Sequence, residues 1–204
     1  MSDPFILPQL IGRLNERHPE LSIEVVEGDH EECLAALRSG RAEIAINYDL
    51  TDAEGIQALR VGEVRPHVIV DTNHRLAGKK RVKLSTLAED PLVLLDLPDS
   101  REYFLTMLRS AGITPKVKYK SSNYETVRSM VAMGLGFSIL NQRPDIEQTY
   151  TGAKTAILEI AEPAPSLRLV VSALSQAAGT AKARAVTAMM REIFAEAASG
   201  EGSV

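Results

Sequence analysis

The chain has few of the residues that mark unusual classes of protein. Its 204 residues contain one cysteine, Cys33, no tryptophan and only 4% aromatic residues. A disulfide within the chain is therefore excluded, and a lone thiol favours a reducing compartment. No apolar run approaches the roughly 20 residues of a membrane span, and the start of the chain, MSDPFILPQL, does not have the pattern of a secretory signal. We therefore expect a cytoplasmic protein that does not bind a membrane.

An excess of positive charge is also missing. The formal net charge is −4, so the chain does not have the basic field that attracts nucleic acid. Hydrophobic residues make up 45% of the sequence, which is enough for one sizeable core or two smaller ones. These proportions are typical of an ordinary globular protein.

The residue patterns of common enzymes are missing as well. The sequence contains no Walker A, GxSxG, HExxH or CxxC pattern. Metal-binding residue types adjoin at 30–33, but their spacing does not gather them on one helix face. The run Gly134–Leu135–Gly136 lies between a predicted helix and a strand, so it indicates a helix end rather than a dinucleotide loop. We expect no metal, no cofactor and no catalytic site. Three histidines without an identifiable partner are expected near the surface: His18, His67 and His74.

The most informative feature that is present is a repeated strand–helix–strand unit. After Pro19 come the strand 21–26 (LSIEVV), a loop, a helix that ends at Gly40 and the strand EIAIN. After Pro115 come the strand KVKYK, a loop, a helix that ends at Gly134 and the strand GFSIL. Such a repeat predicts two similar lobes, and two lobes form a cleft that suits a ligand.

The remaining segments continue the alternation of strands and helices. Strands are predicted at IQALRV, PHVIVDT, PLVLLDL, TAILEI and PSLRLVVSAL, and helices at 99–112 and 181–197. A helix at 8–17 can be capped by Ser2 or Asp3, with Pro4 at its first position. This order predicts an α/β fold with mostly parallel sheets.

Three helix starts have the pattern of a capping box. The pattern occurs at Asp29–Glu32, at Ser122–Glu125 and at Asp99–Glu102. Each follows a predicted strand, at the position where open α/β sheets bind ligands. The amides of a helix start favour an anion by about 0.3–1 kcal/mol. A capping box that only stabilises its own helix remains the alternative at each position.

Three segments together carry a family pattern. The first is DPFILPQLIGRLNERHPELSIEVVEGDHEECLAALRSGRAEIAINYDL, the second is HRLAGKKRVKLSTLAEDPLVLLD, and the third is YETVRSMVAMGLGFSILNQRP. In this order they resemble the effector-binding domain of LysR-type transcriptional regulators, over nearly the whole chain. One departure is Arg75, which stands where the family usually has proline.

The resemblance implies a fold and a set of site residues. The fold is α/β with two Rossmann-like lobes joined by two crossover strands, like the type 2 periplasmic binding proteins. Lobe I would be 1–66 plus 169–204, and lobe II would be 67–168. A small effector, somewhat more often anionic than neutral, would bind in the inter-lobe cleft. The residues that the resemblance places there are Ser2, Asp3, His30, Tyr48, Asp99, Ser100, Arg101, Ser122 and Asn141.

The resemblance also implies partners. A homodimer or tetramer would form through 21–39 of one copy against 116–133 of another. DNA would be bound only by an N-terminal helix-turn-helix domain, which these 204 residues do not contain. The family's first strand, central in lobe I, also has no counterpart in the chain. We therefore expect a loosened first lobe, or another strand in that position.

Two other functions remain open from the sequence. A solute-binding protein of a transporter would have the same two lobes, but it would need export. A cleft enzyme would need an acid–base pair or a metal, which the sequence does not identify.

Overall fold

A computed structural model describes residues 6–144 and 146–200 of the chain. Of the described residues, those up to Val64 and those from Leu167 onward form a first compact unit, and those between Arg65 and Ser166 form a second. Each unit combines helices with a sheet, so the predicted α/β class is confirmed. No helix in the described ranges is both long and apolar enough to cross a membrane.

The first unit is built on a three-stranded antiparallel sheet. Its strands are β1 (Ala45–Tyr48), β2 (Ile56–Val64) and β9 (Leu167–Leu174), in the order β1-β9-β2. Both ladders in this sheet are antiparallel, so the prediction of mostly parallel sheets is wrong for this unit. β9 is apolar at most of its positions and is buried along most of its length, as expected for a central strand.

Three helices cover this sheet. They are α1 (Ile6–Arg17), α2 (His30–Arg38) and α5 (Ala181–Gly200). In α1 the apolar residues recur at helical spacing, so Leu10 and Leu14 are buried. α1 also contacts α5 through an ion pair, in which the Arg17 guanidinium lies 2.7 Å from the Glu192 carboxylate.

Gly62 allows α5 to lie close to β2. An ideal Cβ at this position would lie 2.5 Å from the Phe194 ring. The register of β2 against β9 also shifts between Arg60 and Gly62, which is a bulge that bends the strand. A side chain at position 62 would therefore displace the helix.

The predicted strand at 21–26 does not form. Residues 21–29 have no regular secondary structure, and Ile23, Val25 and Val26 are 38, 46 and 42% exposed. The alternating apolar residues are typical of a strand, but a ladder requires a second strand beside it. In the described sheet β1 pairs only with β9, so the prediction is wrong because 21–26 has no neighbouring strand.

The second unit contains two groups of strands that adjoin. The first group, in the order β4-β8-β3-β7, consists of β4 (Arg81–Val82), β8 (Thr155–Ile160), β3 (His67–Asp71) and β7 (Ser138–Leu140). The second group pairs β5 (Leu92–Leu95) with β6 (Val117–Ser121) in parallel. The groups meet at Phe137, whose carbonyl accepts a hydrogen bond of 2.8 Å from Val93 N.

Two helices pack on opposite faces of this sheet. α3 (Pro98–Ser110) contributes Phe104 and Leu108 to a large core that includes Val68 and Val70. α4 (Tyr124–Ala132) contributes Val127 and Val131 to a smaller core around Ile69 and Leu140. A short 3-10 helix at Leu84–Leu87 precedes β5.

The link from α4 to β7 depends on two glycines. Gly134 has φ 76° directly after the helix, which confirms that this segment is a helix end. Gly136 has φ 147°, and an ideal Cβ there would lie 2.1 Å from the Pro91 carbonyl oxygen. The close approach of β5 to the start of β7 therefore requires glycine at 136.

Candidate functional site

Several polar residues line one edge of the sheet in the second unit. β5 runs parallel to β6 and to the start of β7, so the carboxyl ends of these strands lie at the same edge. β3 begins there, because His67 stands opposite Leu140, the last residue of β7. In open α/β sheets this is the edge where ligands bind. We call it the polar edge and define it by His67, Asp96, Ser121, Asn141 and Gln142.

His67 is a buried polar residue of this edge. It is 7% exposed, and its Nε2 atom has no hydrogen-bond partner among the described residues. Burial, and to a smaller extent the positive charge of Arg143, lower the pKa of the imidazole from 6.5 to about 4, although a hydrogen bond to the Arg65 backbone opposes these effects. The ring is therefore neutral at neutral pH, and the expectation of a surface position for His67 is wrong.

Asn141 is the second buried polar residue of this edge. It is 9% exposed, and its Oδ1 atom has no partner in the part of the chain that the structure describes. Two other hydroxyl oxygens are also buried without a partner, but Ser138 and Thr155 lie farther along the sheet, opposite Ile69 and Asp71. Buried polar atoms usually have partners, so Asn141 and His67 are candidates for contact with another molecule.

The loop after Asn141 is fixed by side chains from the first turn and a half of α4. The Tyr124 hydroxyl donates to the Gln142 carbonyl. Arg128, 4% exposed, pairs with Glu125 at 2.7 Å and donates to the Ile146 carbonyl at 2.8 Å. Glu125 also accepts a hydrogen bond of 2.8 Å from Tyr150 N. This set of contacts holds the backbone next to the polar edge.

The start of α3 differs from the predicted capping box. The helix begins at Pro98, its cap residue is Leu97, and the cap makes no side-chain hydrogen bond. The box predicted at Asp99–Glu102 is therefore wrong, because Pro98 starts the helix two residues earlier than the box requires. Asp99 and Ser100 lie in this helix, and their side chains are outside the described part of the structure. Arg101 forms an ion pair with Asp96, which places this cation beside the polar edge.

The start of α4 also differs from its prediction. The cap residue is Asn123, whose Oδ1 accepts a hydrogen bond of 2.9 Å from Thr126 N. Ser122 is exposed and does not cap the helix, so the box predicted at Ser122–Glu125 is wrong by one residue. Glu125 is not available for a box because it binds Arg128 and Tyr150 N.

In the first unit, His30 belongs to a buried chain of hydrogen bonds. It opens α2, where the predicted box is confirmed: Asp29 accepts from Glu32 N, and Glu32 accepts from Asp29 N. The His30 Nδ1 atom lies 3.3 Å from Asn47 Nδ2, and Nε2 lies 2.9 Å from Thr51 Oγ1. We assign the proton to Nε2, because the Asn47 amide nitrogen can only donate.

The other end of this chain of hydrogen bonds is Ser172, whose hydroxyl donates to Asn47 Oδ1 at 2.8 Å. His30, Asn47 and Ser172 are each less than 9% exposed, so both ring nitrogens of His30 are satisfied inside the unit. Tyr48, also predicted as a site residue, is 5% exposed at the end of β1. Ser2 and Asp3 lie outside the described residues.

A groove of about 540 Å³ lies elsewhere in the second unit. It runs between α3 and 160–165, and its lining is mainly apolar. The Glu162 carboxylate accepts a hydrogen bond of 3.0 Å from Leu84 N, and the Tyr103 hydroxyl, whose pKa is raised to about 12 by burial, donates to the Pro165 carbonyl. Both polar groups are thus engaged. Within the described ranges, no group of three His, Cys, Asp or Glu residues could hold a metal ion.

Sequence reasoning missed several residues of these two sites. His67 and Gln142 in the second unit, and Asn47 and Ser172 in the first, were not predicted. The only local signal for a special role of His67 is the preceding proline, which lies where the chain enters the second unit. Asn47 has a clearer signal, since an amide inside an apolar strand must find a hydrogen-bond partner.

Comparison with known proteins assigns the chain to a family. Residues 2–195 match the model of the LysR substrate binding domain. A curated relative from Mycobacterium leprae, named "Probable hydrogen peroxide-inducible genes activator", is 27% identical over 94% of this chain. The chain spans 62% of that relative's length, and 54% and 46% of two other curated relatives.

Two solved structures show the same fold. The crystal structure of HinK, a LysR family transcriptional regulator from Pseudomonas aeruginosa, is 35% identical, covers 92% of this chain and 66% of that one, and has a TM-score of 0.86. The BenM effector binding domain with its effector benzoate has a TM-score of 0.83 and covers 95% of this chain and 87% of that one. At 19% identity, the second comparison shows the fold alone.

Proposed function

The chain belongs to the LysR substrate-binding domain family, and from this premise we propose that it senses a small effector for a transcriptional regulator. The curated relatives are described as regulators rather than enzymes. With a net charge of −4, the chain is poorly suited to bind DNA by itself, so we assign DNA binding to a part of the regulator beyond these residues. The cytoplasm, where such a regulator meets DNA, is the proposed location.

We place effector binding in the second unit at the polar edge. The observation that carries this proposal is the pair of buried, unpartnered atoms, His67 Nε2 and Asn141 Oδ1. Burial of such atoms without a partner lowers the free energy of unfolding by about 1–3 kcal/mol for each group. A ligand that satisfies them recovers that cost. Arg143 follows Asn141 by two residues and its positive charge acts on the His67 ring, so it favours an anionic ligand.

The test is ligand binding by the purified chain and by one variant. Small carboxylates, including benzoate, should raise the melting temperature, and calorimetry gives their dissociation constants. For a ligand that donates a hydrogen bond to Asn141 Oδ1, Asn141→Leu should weaken binding by about ten-fold or more, which corresponds to roughly 1.4 kcal/mol. Asn15→Leu changes an exposed asparagine of α1 and should leave affinity unchanged. If wild type and Asn141→Leu bind every ligand equally, Asn141 is not part of the effector site.

The predicted subunit contact is proposed as well. Exposed apolar side chains occur in both predicted stretches: Ile23, Val25 and Val26 in 21–39, and Met133 at 63% exposure in 116–133. Soluble proteins bury such groups of residues in interfaces. We therefore propose a dimer in which 21–39 of one copy contacts 116–133 of another.

Sedimentation analysis of two charge variants tests this dimer. Val25→Lys should shift the chain toward monomer, because a lysine would be buried in the contact. Ile146→Lys is the matched control, since Ile146 is 68% exposed but lies outside both stretches. A wild-type chain that is monomeric at micromolar concentration would contradict the proposal.

A further inference from the structure

The protonation of His67 decides what kind of group can satisfy its buried nitrogen. The hydrogen bond between the ring and the Arg65 backbone raises the pKa, as donation from the ring to a carbonyl does. Because Nε2 has no partner among the described residues, the donating atom is Nδ1. In a neutral imidazole with the proton on Nδ1, Nε2 is an acceptor. A group that binds His67 Nε2 must therefore be a hydrogen-bond donor.

Asn141 gives the same requirement independently. Its unpartnered atom is the amide oxygen Oδ1, which can only accept. Asn141 follows Leu140, the residue that pairs with His67 across the ladder, so both acceptors are found at one edge of the sheet. A carboxylate oxygen cannot satisfy either atom, because it carries no proton at neutral pH.

A cation is present close to these acceptors. Arg143 is exposed, and within the described residues no ion pair of this side chain is found. Its charge acts on the His67 ring strongly enough to lower the pKa of the imidazole. The nearby Arg128 is different, because Glu125 and backbone carbonyls occupy its guanidinium. Arg143 thus has the charge and the exposure to bind an anion.

We propose that the effector is a carboxylate that also carries at least one hydroxyl group. Its hydroxyl donates to His67 Nε2 or Asn141 Oδ1, and its carboxylate binds the Arg143 guanidinium. This inference rests on the proposed function and adds the ligand class. The hydroxyl group follows from the two acceptor atoms, which require a hydrogen-bond donor. The carboxylate follows from the Arg143 guanidinium, which favours an anion.

Matched pairs of ligands test the hydroxyl requirement. The pairs are benzoate and its meta-hydroxy derivative, cyclohexanecarboxylate and quinate, and propionate and lactate. In at least one pair, calorimetry should show the hydroxylated member to bind about ten-fold or more tightly, because its absence leaves a buried acceptor unpaired. If both members of every binding pair bind equally, the inference is wrong while the proposed function stands. If no carboxylate binds and native mass spectrometry finds no retained small molecule, the proposed function fails.

Substitution of His67 tests whether this residue causes the tighter binding of the hydroxylated ligands. In His67→Leu the ratio of affinities within a pair should fall to about one, while the hydroxyl-free member still binds. His67→Gln keeps an acceptor and should retain part of the preference. His18→Leu, in the first unit, should leave the ratio unchanged. An unchanged ratio in His67→Leu would overturn the role of this residue.

NMR of the imidazole nitrogens gives a readout that does not depend on folding stability. Without ligand, the ¹⁵N spectrum should show a protonated Nδ1 and a bare Nε2. The hydroxylated member of a pair should shift the Nε2 resonance, and the hydroxyl-free member should not. A protonated Nε2, or a crystallographic water on Nε2 that stays in place when the hydroxylated ligand is bound, would contradict the proposal.

Discussion

The two copies of the repeat differ most in their first strand. In the second copy, β6 pairs with β5 from Leu92–Val117 to Leu95–Ser121, and α4 begins three residues after the strand ends. In the first copy, the matching segment 21–26 forms no ladder, although α2 begins with a complete capping box. Caps and helical stripes act over a few residues of the same segment. A strand depends on a neighbour that is distant in sequence, so one copy can keep its helix and lack its strand.

Hydrogen exchange should show the largest difference between the two copies. Amides of β6 should open with a free energy that approaches that of global unfolding, roughly 5 kcal/mol or more. Amides of 21–26 should exchange with little protection, because they lie in no ladder. β1 is the internal control in the first unit, since its pairing with β9 should protect it. Equal protection of 21–26 and β6 would show that another strand covers the first segment.

Replacement of Arg128 should show the next largest effect. Arg128 in α4 corresponds to Leu34 in α2 when the helix starts Asn123 and Asp29 are aligned, and both residues are buried. Arg128→Ala should lower the free energy of unfolding by about 3–5 kcal/mol, because it leaves Glu125 without its cation and the Ile146 carbonyl without its donor. Denaturant titration measures this, with exposed Arg60→Ala as a control that should change little. A small loss for Arg128→Ala would show that Glu125 finds another partner.

Buried His67 in the second unit should make the stability of the chain depend on pH in the acid range. The pKa of His67 is about 4 in the folded chain, against an ordinary value of 6.5. Below pH 6.5 the unfolded chain binds a proton that folded His67 does not, so stability falls with pH until about pH 4. The loss between pH 7 and pH 5 should be roughly 2 kcal/mol.

His67→Leu removes this part of the pH dependence if the assignment is correct. Denaturant titrations of wild type and variant at pH 7 and pH 5 measure it. A variant whose acid dependence equals that of wild type would show that His67 is not the group responsible.

The caps of α2 and α4 should show the smallest difference. Asp29→Ala and Asn123→Ala should each cost about 1 kcal/mol, since each removes one side-chain bond to a helix amide. Ser122→Ala should cost little, because Ser122 does not cap α4. Thermal unfolding measures the three changes. A larger loss for Ser122→Ala than for Asn123→Ala would restore the predicted cap.

Helices were predictable from the sequence because their signals are local. α2, α3, α4 and α5 occur where apolar stripes and glycine ends place them. The strand 21–26 could not be predicted correctly, since its apolar pattern contains no information about a missing neighbour. The burial of His67 was missed for the same reason: Leu140 and the other residues around it are distant in sequence. Asn141 was identified only through the family pattern, because an asparagine after a strand is locally an ordinary turn residue.

Three side chains of α4 have a mechanical consequence. Tyr124, Glu125 and Arg128 bind backbone groups at both ends of the loop 142–150. This loop cannot slide along the helix without breaking several of these bonds together. We therefore expect the described parts of this loop, 142–144 and 146–150, to follow α4 when a ligand displaces Asn141.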